Sequence, residues 1–214
     1  MSRASWGNLP VPPDPLHRSA DADEWLRHWL HAIVATPGLT ALRDVSAARR
    51  TLLEDSLRGV EVVCEHEGAI VDVGSGGGVP GIPLAAALPD RRVTLLEANG
   101  RKCEFLRTWA PPNARVVNGR AEEQETDAYG VAVAKALAPP HVAAEWCLPL
   151  VLAGGVAVLW VGQTVDEERV ARVADQVGGA LAGNRDGLLV LRKVRPTPAG
   201  FPRRTGVARK RPFR

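Results

Sequence analysis

The chain has 214 residues, of which 45% are hydrophobic and 24% are charged, and its formal net charge is +3. This length predicts one α/β domain with additions and enough apolar residues for a sizeable core. No apolar run approaches the roughly 20 residues that span a bilayer, and the proline-rich first 15 residues lack the apolar centre of a secretion signal. We therefore expect a cytoplasmic protein with no membrane partner.

The first third of the chain predicts helices. Prolines at positions 10, 12, 13 and 15 leave little room for a helix, so the first 20 residues are predicted to be disordered. A first helix, capped by Asp21 or Asp23, is predicted to run to Val34. A second helix is predicted over residues 46–64. Residues 21–66 are thus interpreted as an N-terminal helical cap.

A glycine-rich stretch follows the first predicted strand. Residues 69–73 form a short apolar run that is typical of a buried parallel strand, and Pro80 suits the first turn of a helix over residues 80–88. Between them, glycines at 74, 76, 77 and 78 let backbone N–H groups approach a ligand, and the helix start adds a partial positive charge. This strand, turn and helix predict a cofactor site.

Two cofactors suit the glycine spacing. Gly74-x-Gly76-x-Gly78, with Asp72 two residues ahead, is the pattern of class I methyltransferases that hold S-adenosylmethionine, whereas Gly76-x-Gly78-x-x-Gly81 satisfies the dinucleotide fingerprint. In either case Glu97, at the end of the next predicted strand, is placed to bind ribose hydroxyls. Asp72 favours the methyltransferase; a nicotinamide or flavin enzyme and a plain tight turn are the alternatives.

Strands and helices then alternate as far as residue 194. This alternation predicts a doubly wound, mostly parallel α/β sheet, with ligands bound beyond the carboxyl ends of its strands. We predict a domain over residues 67–194 and a basic C-terminal tail over residues 195–214. The predicted strands are 69–73, 92–97, 114–117, 130–134, 155–161 and 187–194, and the predicted helices are 80–88, 101–109, 140–151 and 165–177.

Basic residues are concentrated at the C-terminal end. Residues 192–214 contain nine Lys or Arg and no acidic residue, which leaves 18 basic and 24 acidic residues, a net charge of −6, for the rest of the chain. A basic segment on an acidic body favours a polyanionic partner such as nucleic acid, and the alternative is a solvated end.

The cysteines and the other metal-ligating side chains predict no metal site. Cys64, Cys103 and Cys147 are far apart and show no Cys-x-x-Cys spacing. Their odd number and spacing argue against a disulfide framework and against zinc, and they suit a reducing compartment.

Together these pieces resemble one family, the bacterial small-subunit (16S) ribosomal RNA guanine-N7 methyltransferases, also called glucose-inhibited division protein B. The resemblance covers roughly residues 38–214. Its most specific part is the glycine block of residues 71–84, because methyltransferases in general do not require the Pro-Gly-Ile-Pro extension found there. Other similar stretches are residues 39–44, 55–57, 94–102, 119–122, 132–139 and 202–207.

The resemblance implies a seven-stranded class I methyltransferase (Rossmann-like) sheet. It also implies an enzyme that transfers a methyl group from S-adenosyl-L-methionine to N7 of a guanine in 16S ribosomal RNA. Guanine N7 carries a free lone pair at neutral pH, so no general base is needed, and positioning would carry catalysis. The implied partner is small-subunit ribosomal RNA or the assembled small subunit, and we expect a monomer.

Roles for individual residues also follow from the resemblance. Lys135, after the fourth predicted strand, is the implied catalytic residue and would contact the cofactor or the guanine. Trp160, at the end of the fifth, could stack on a base or pack in the core. The implied cofactor-binding residues are Gly74, Ser75, Gly76, Val79, Glu97, Ala121, Glu122 and Lys135. Salt-dependent contacts to RNA phosphates are implied for Arg203, Arg204, Arg209, Lys210 and Arg211.

The chain departs from the family pattern at positions expected to face the substrate. Thr51 and Leu52 replace an Arg-His pair, Lys135 replaces an Arg, Val161 replaces a Lys and Gly38 replaces an Asn. The cofactor blocks are intact, so the sequence looks like a divergent member. The alternatives are an S-adenosylmethionine-dependent methyltransferase acting on another RNA or a small molecule, and a non-catalytic RNA-binding paralogue.

Overall fold

The computed structural model of the protein describes residues 19–213. The disorder predicted for the first 20 residues lies outside this range, apart from residues 19 and 20, which begin the first helix. Within the described range, no helix combines the length and the apolar composition needed to cross a membrane.

Seven strands form one sheet with the order β3-β2-β1-β4-β5-β7-β6. Strands β1 to β5 run parallel, and β7 is antiparallel to both β5 and β6, so the predicted mostly parallel sheet is confirmed. The strands are β1 (Ile70–Val73), β2 (Val93–Glu97), β3 (Ala114–Asn118), β4 (Tyr129–Lys135), β5 (Val151–Trp160), β6 (Gly179–Arg185) and β7 (Leu188–Lys193).

The C-terminal part of the sheet differs from the prediction. The sequence did not predict β6, which lies at the sheet edge and contains Gly and Asn residues that are poor strand formers. The helix predicted over residues 140–151 is too long. It ends at Cys147, where a 3₁₀ turn containing Pro149 leads into β5, because proline cannot donate the N–H that would continue a helix.

Helices cover both faces of the sheet and add the N-terminal cap. The predicted helix over residues 46–64 is broken by a π-helical turn at Arg49–Glu54 and by Gly59. The helices are α1 (Ser19–Ala35), α2 (Val45–Ala48), α3 (Asp55–Leu57), α4 (Val60–Cys64), α5 (Gly81–Ala87), α6 (Gly100–Trp109), α7 (Pro140–Cys147), α8 (Glu167–Gln176) and α9 (Val207–Lys210).

Two apolar layers hold the fold together. On one face of the sheet, α1 packs with α5 and α6, and the rings of Trp25 and Trp109 meet edge to face with centroids 5.9 Å apart. On the other face, α7 and α8 pack against β1, β4 and β5. The N-terminal helices therefore share one continuous core with the sheet, and they do not form a separate hydrophobic unit.

Candidate cofactor and acceptor site

A cleft of about 340 Å³ opens at the carboxyl ends of β1, β2 and β4, where ligands of such sheets bind. Its volume lies within the range of small-molecule sites. The cleft brings together residues from six separate parts of the chain. They are Val73, Gly74, Leu96, Glu97, Ala98, Lys102, Gly119, Arg120, Ala121, Glu122, Ala136, Leu137, Trp146 and Arg209.

Gly74 begins the glycine loop at the floor of this cleft. Its φ of +72° is left-handed, and a Cβ added there would lie 2.3 Å from Cδ1 of Leu137. Both the backbone conformation and the close approach of Leu137 therefore require glycine. The next residue, Ser75, is buried, and its hydroxyl donates to the Asp72 carbonyl at 3.0 Å, so its side chain faces the protein and not the cleft.

The N-terminal helix α1 supports the glycine loop directly. The indole N–H of Trp29 donates to the carbonyl oxygen of Gly77 at 3.0 Å. A Cβ at Gly77 would lie 2.3 Å from Cδ1 of Ile33, so α1 packs against the loop without intervening space. The position of the loop therefore depends on a helix 48 residues away in the sequence.

Glu97 forms the cleft wall at the end of β2 and is 8% exposed. One carboxylate oxygen accepts from the Gly76 N–H at 2.9 Å, and the other accepts from the Asn99 N–H at 2.7 Å. These two bonds fix the carboxylate at the loop. Each oxygen retains a lone pair, so Glu97 can still accept hydrogen bonds from the hydroxyls of a ribose.

Asp72 lies beneath the loop and is fully buried. Its Oδ2 accepts from the Gly81 N–H at 3.0 Å, whereas Oδ1 is buried without a hydrogen-bond partner in the described part of the chain. Burial raises the pKa of Asp72 to about 7, and the negative charge of Glu97 acts in the same direction. This carboxyl therefore ionises near neutral pH.

Lys135 lies at the end of β4, beside the cleft but outside its lining. Its ammonium forms an ion pair with Asp55, whose side chain is 27% exposed against 14% for Lys135. Asp55 also accepts from Arg58 at 2.7 Å, and its carbonyl accepts from the indole of Trp160 at 2.9 Å. Burial raises the pKa of Asp55, but the bonds and charges of Lys135 and Arg58 outweigh it and lower that pKa overall.

The other end of the cleft is formed by Ala121 and Glu122, in a 3₁₀ turn after β3. The C-terminal segment, residues 195–213, is attached to this turn. The Glu122 carboxylate accepts from the Gly206 N–H at 3.0 Å, and Glu123 accepts from the Thr205 hydroxyl at the same distance. The segment thus forms part of the site.

Arg203 differs from its predicted role as a phosphate contact. Its guanidinium makes two hydrogen bonds of 2.5 Å to the carboxylate of Glu145, whose side chain is only 3% exposed, and it stacks 3.9 Å from the centroid of the Phe213 ring. Because the guanidinium is bound to a buried carboxylate, Arg203 anchors the C-terminal segment. The other four predicted phosphate contacts, Arg204, Arg209, Lys210 and Arg211, are exposed.

A family model described as rRNA small subunit methyltransferase G matches residues 24–177. The chain belongs to this family. Similar members include the Ribosomal RNA small subunit methyltransferase G of Synechococcus elongatus, 36% identical over 209 residues that cover 86% of each chain. The protein of the same name from Rubrobacter xylanophilus is 38% identical over 202 residues, which cover 83% of this chain and 75% of that protein.

Solved structures agree on the fold. The TYW2 protein of M. jannaschii, determined in complex with AdoMet, superposes with a TM-score of 0.51 and 17% identity, and the match covers 64% of this chain and 71% of that one. The seven-stranded sheet is therefore of the class I methyltransferase type, and the family resemblance found in the sequence is confirmed.

Four of the five departures from the family pattern lie near the Lys135–Asp55 pair. They are Lys135 itself, Thr51 and Leu52 in the turn before Asp55, and Val161, next to the Trp160 that pairs with Lys135 in the sheet. Thr51 and Leu52 lie in the π-helical turn. Thr51 is exposed, and Leu52 packs against the apolar layer that contains α1, α5 and α6. Val161 follows β5 and packs against the apolar layer that contains α7 and α8. Two basic positions of the family pattern are thus occupied here by side chains that pack inward.

The structure separates the predicted site residues into groups. Gly74, Glu97, Ala121 and Glu122 line the cleft, whereas Ser75, Gly76, Val79 and Lys135 are outside its lining. Sequence reasoning missed Asp55, Leu137 and Trp146, and it predicted Arg209 as a contact to RNA phosphates and not as part of the cleft. Asp55 and Leu137 fall in matched motifs, whereas no local signal places Trp146 or Arg209 at the cleft. Among residues 19–213, no group of three or more His, Cys, Asp or Glu could hold a metal ion.

Proposed function

We propose that the protein transfers the methyl group of S-adenosylmethionine to N7 of a guanine in small-subunit (16S) ribosomal RNA. The observation that carries this proposal is the cleft of an rRNA methyltransferase G family member, with Glu97 fixed against the glycine loop and Lys135 next to the lining residue Ala136. The proposal places the protein in the cytoplasm, acting as a monomer on the RNA or on the assembled small subunit.

The residues of the cleft suit S-adenosylmethionine. Gly74 lines the cleft with its backbone alone, because Leu137 occupies the space where a Cβ would lie, so a ligand can approach the backbone of the loop there. The spare lone pairs of Glu97 suit ribose hydroxyls, and Ala121 and Glu122 stand where the adenine would lie. When bound, the cofactor supplies a methyl group carried on a positively charged sulfur.

Lys135 is suited to position the guanine. An ammonium has three donors, and the ion pair with Asp55 uses one, so two remain for acceptors such as guanine O6 beside the reacting N7. The purine gains positive charge when N7 is methylated, and a bare cation beside it would oppose that change. Asp55 offsets the charge of Lys135, which makes the pair suitable for holding the base.

No side chain is needed as a general base in this reaction, because N7 reacts through a lone pair that carries no proton at neutral pH. The protein's contribution is therefore orientation and charge complementarity. Arg204, Lys210 and Arg211 are exposed on the C-terminal segment, which reaches the cleft through Arg209, and they would bind phosphates without reading bases. Each phosphate contact should make the slope of log K for RNA binding against log salt concentration steeper by about 0.7–0.9.

The test is to incubate the protein with methyl-labelled S-adenosylmethionine and unmodified small ribosomal subunits, and to map the label by nuclease digestion and mass spectrometry. The proposal predicts label on N7 of guanine at one site. Bound cofactor without label on small-subunit RNA would contradict it.

A second candidate is methyl transfer to another RNA or to a small molecule. The inward packing of Leu52 and Val161, where the family pattern has basic side chains, is the observation that favours it. The same labelling reaction with total RNA and with a small-metabolite extract would distinguish the two. Label found only in those fractions would support the second candidate.

A further inference from the structure

The C-terminal segment reaches the cofactor cleft through Arg209. This residue lies in the short helix α9 and lines the cleft together with Ala121, Glu122 and Trp146. These are the residues at the end of the cleft where the adenine of the cofactor would lie. A basic side chain from the far end of the chain is thus part of the wall of the proposed cofactor site.

Three acidic side chains of the domain hold this segment in place. Glu145 binds Arg203, Glu123 binds the Thr205 hydroxyl and Glu122 accepts from the Gly206 N–H. Gly206 has a φ of +79°, which glycine adopts without strain and which turns the chain toward Glu122. All three anchors come shortly before Arg209 in the chain, and those at Thr205 and Gly206 tie the segment to the same turn that carries Ala121.

Arg209 itself is not used by the fold. It is exposed, and none of the ion pairs among residues 19–213 includes it. Arg203, six residues earlier, is by contrast fully engaged with Glu145. An exposed guanidinium that a fixed turn presents to a cleft is available to a ligand in that cleft.

We propose that Arg209 is a cofactor-binding residue that contacts the adenine of S-adenosylmethionine. This inference rests on the proposed function of the cleft. A guanidinium is planar, stacks on the face of aromatic rings and donates to ring nitrogens, and adenine offers both. Trp146 also lines the cleft, and its helix α7 contacts both α9 and the turn that carries Ala121.

The test is the affinity for S-adenosylhomocysteine, the demethylated cofactor, measured by calorimetry on the full chain. Arg209→Ala should raise its Kd about tenfold or more (about 1.4 kcal/mol for each factor of ten), because it removes a charged hydrogen-bond donor from the site. Lys210→Ala is the matched control, since Lys210 is the adjacent exposed cation and does not line the cleft, and it should leave this Kd unchanged. Arg209→Lys should recover only part of the affinity.

A second ligand locates the contact within the cofactor. 5′-Methylthioadenosine retains the adenosine and lacks the amino-acid portion, so Arg209→Ala should weaken it by the same factor as S-adenosylhomocysteine. A loss confined to S-adenosylhomocysteine would overturn the adenine contact. The melting temperature of the ligand-free variant should equal that of the wild type, which separates a lost contact from a misfolded segment.

The failure of this inference differs from the failure of the proposed function. If the wild type binds S-adenosylhomocysteine and Arg209→Ala binds it equally well, Arg209 is not a cofactor residue, whatever RNA is methylated. If the wild type methylates no ribosomal RNA but Arg209→Ala still weakens cofactor binding, the inference holds and only the RNA target is wrong.

Discussion

The two sides of the sheet edge are held by different kinds of contact. On the cofactor side, backbone N–H groups of the loop and the β2 end fix Glu97, and the residues concerned are no more than 21 apart in the sequence. On the side proposed for the methyl acceptor, the Lys135–Asp55 ion pair joins residues 80 positions apart. In the C-terminal segment, the Arg203–Glu145 ion pair joins residues 58 positions apart. The Glu97 contacts are therefore local and made by backbone donors, whereas the two ion pairs depend on distant parts of the chain.

The largest effect is expected where the long-range contact is most buried. Arg203→Ala leaves the Glu145 carboxylate buried and unpaired, and breaking such a pair costs about 3–5 kcal/mol of unfolding free energy. Chemical denaturation measures this loss. Arg204→Ala removes an exposed neighbouring charge and should change stability by less than about 0.5 kcal/mol. Equal stability of the two variants would show that Arg203 is not the anchor.

The cofactor side should be more sensitive to pH, through Asp72. The folded state keeps the Asp72 proton up to a pKa of about 7, whereas the unfolded chain loses it near its ordinary value of about 3.9. Between these values the folded state binds more protons, so its stability falls as pH rises from about 4 to about 7. Relative to Asp72→Asn, the wild type should lose on the order of 3 kcal/mol across that window. If the unfolding free energies of the wild type and Asp72→Asn changed in parallel with pH, the raised pKa of Asp72 would be excluded.

The acceptor side can be tested by a double-mutant cycle on the rate of methyl transfer. Lys135→Met should lower the single-turnover rate about 10–100-fold, and Asp55→Asn about tenfold, because each removes one member of the pair (about 1.4 kcal/mol for a tenfold change). The double variant should be no slower than Lys135→Met. Additive losses would mean that Asp55 acts independently of Lys135.

The smallest effect concerns the contact between α1 and the loop. Gly77→Ala forces Ile33 to move and should cost about 1–2 kcal/mol of stability while weakening cofactor binding. Gly162→Ala is the control, because a Cβ there meets no atom within 4 Å. Thermal melts with and without S-adenosylhomocysteine compare the two variants. If S-adenosylhomocysteine raised the melting temperature of Gly77→Ala as much as that of the wild type, cofactor binding would not depend on the contact between α1 and the loop.

The same contrast explains how much the sequence could predict. The strand, glycine turn and helix around Gly74 are specified by neighbouring residues, and so is the acidic end of β2 at Glu97, so the class I sheet and four residues of the cleft lining followed from the pattern. The edge strand β6 did not, because its Gly and Asn residues give no strand signal and β7 supplies its pairing.

The role of Arg203 was beyond the sequence for a related reason. Residues 192–214 contain nine basic residues, and the sequence does not distinguish the role of one arginine there from that of another. Only the folded chain brings Arg203 to the buried Glu145. The position of Arg209 at the cleft depends on that anchor. The Lys135–Asp55 pair likewise joins two matched motifs whose contact neither motif specifies.

The most direct test of this division is the single-turnover rate of methyl transfer to small ribosomal subunits as a function of S-adenosylmethionine concentration. Arg209→Ala should need more cofactor but reach nearly the wild-type rate at saturation, whereas Asp55→Asn should stay slow at any concentration. Arg209→Ala that stays slow at saturation, or Asp55→Asn that recovers with more cofactor, would contradict the assignment of the two sides.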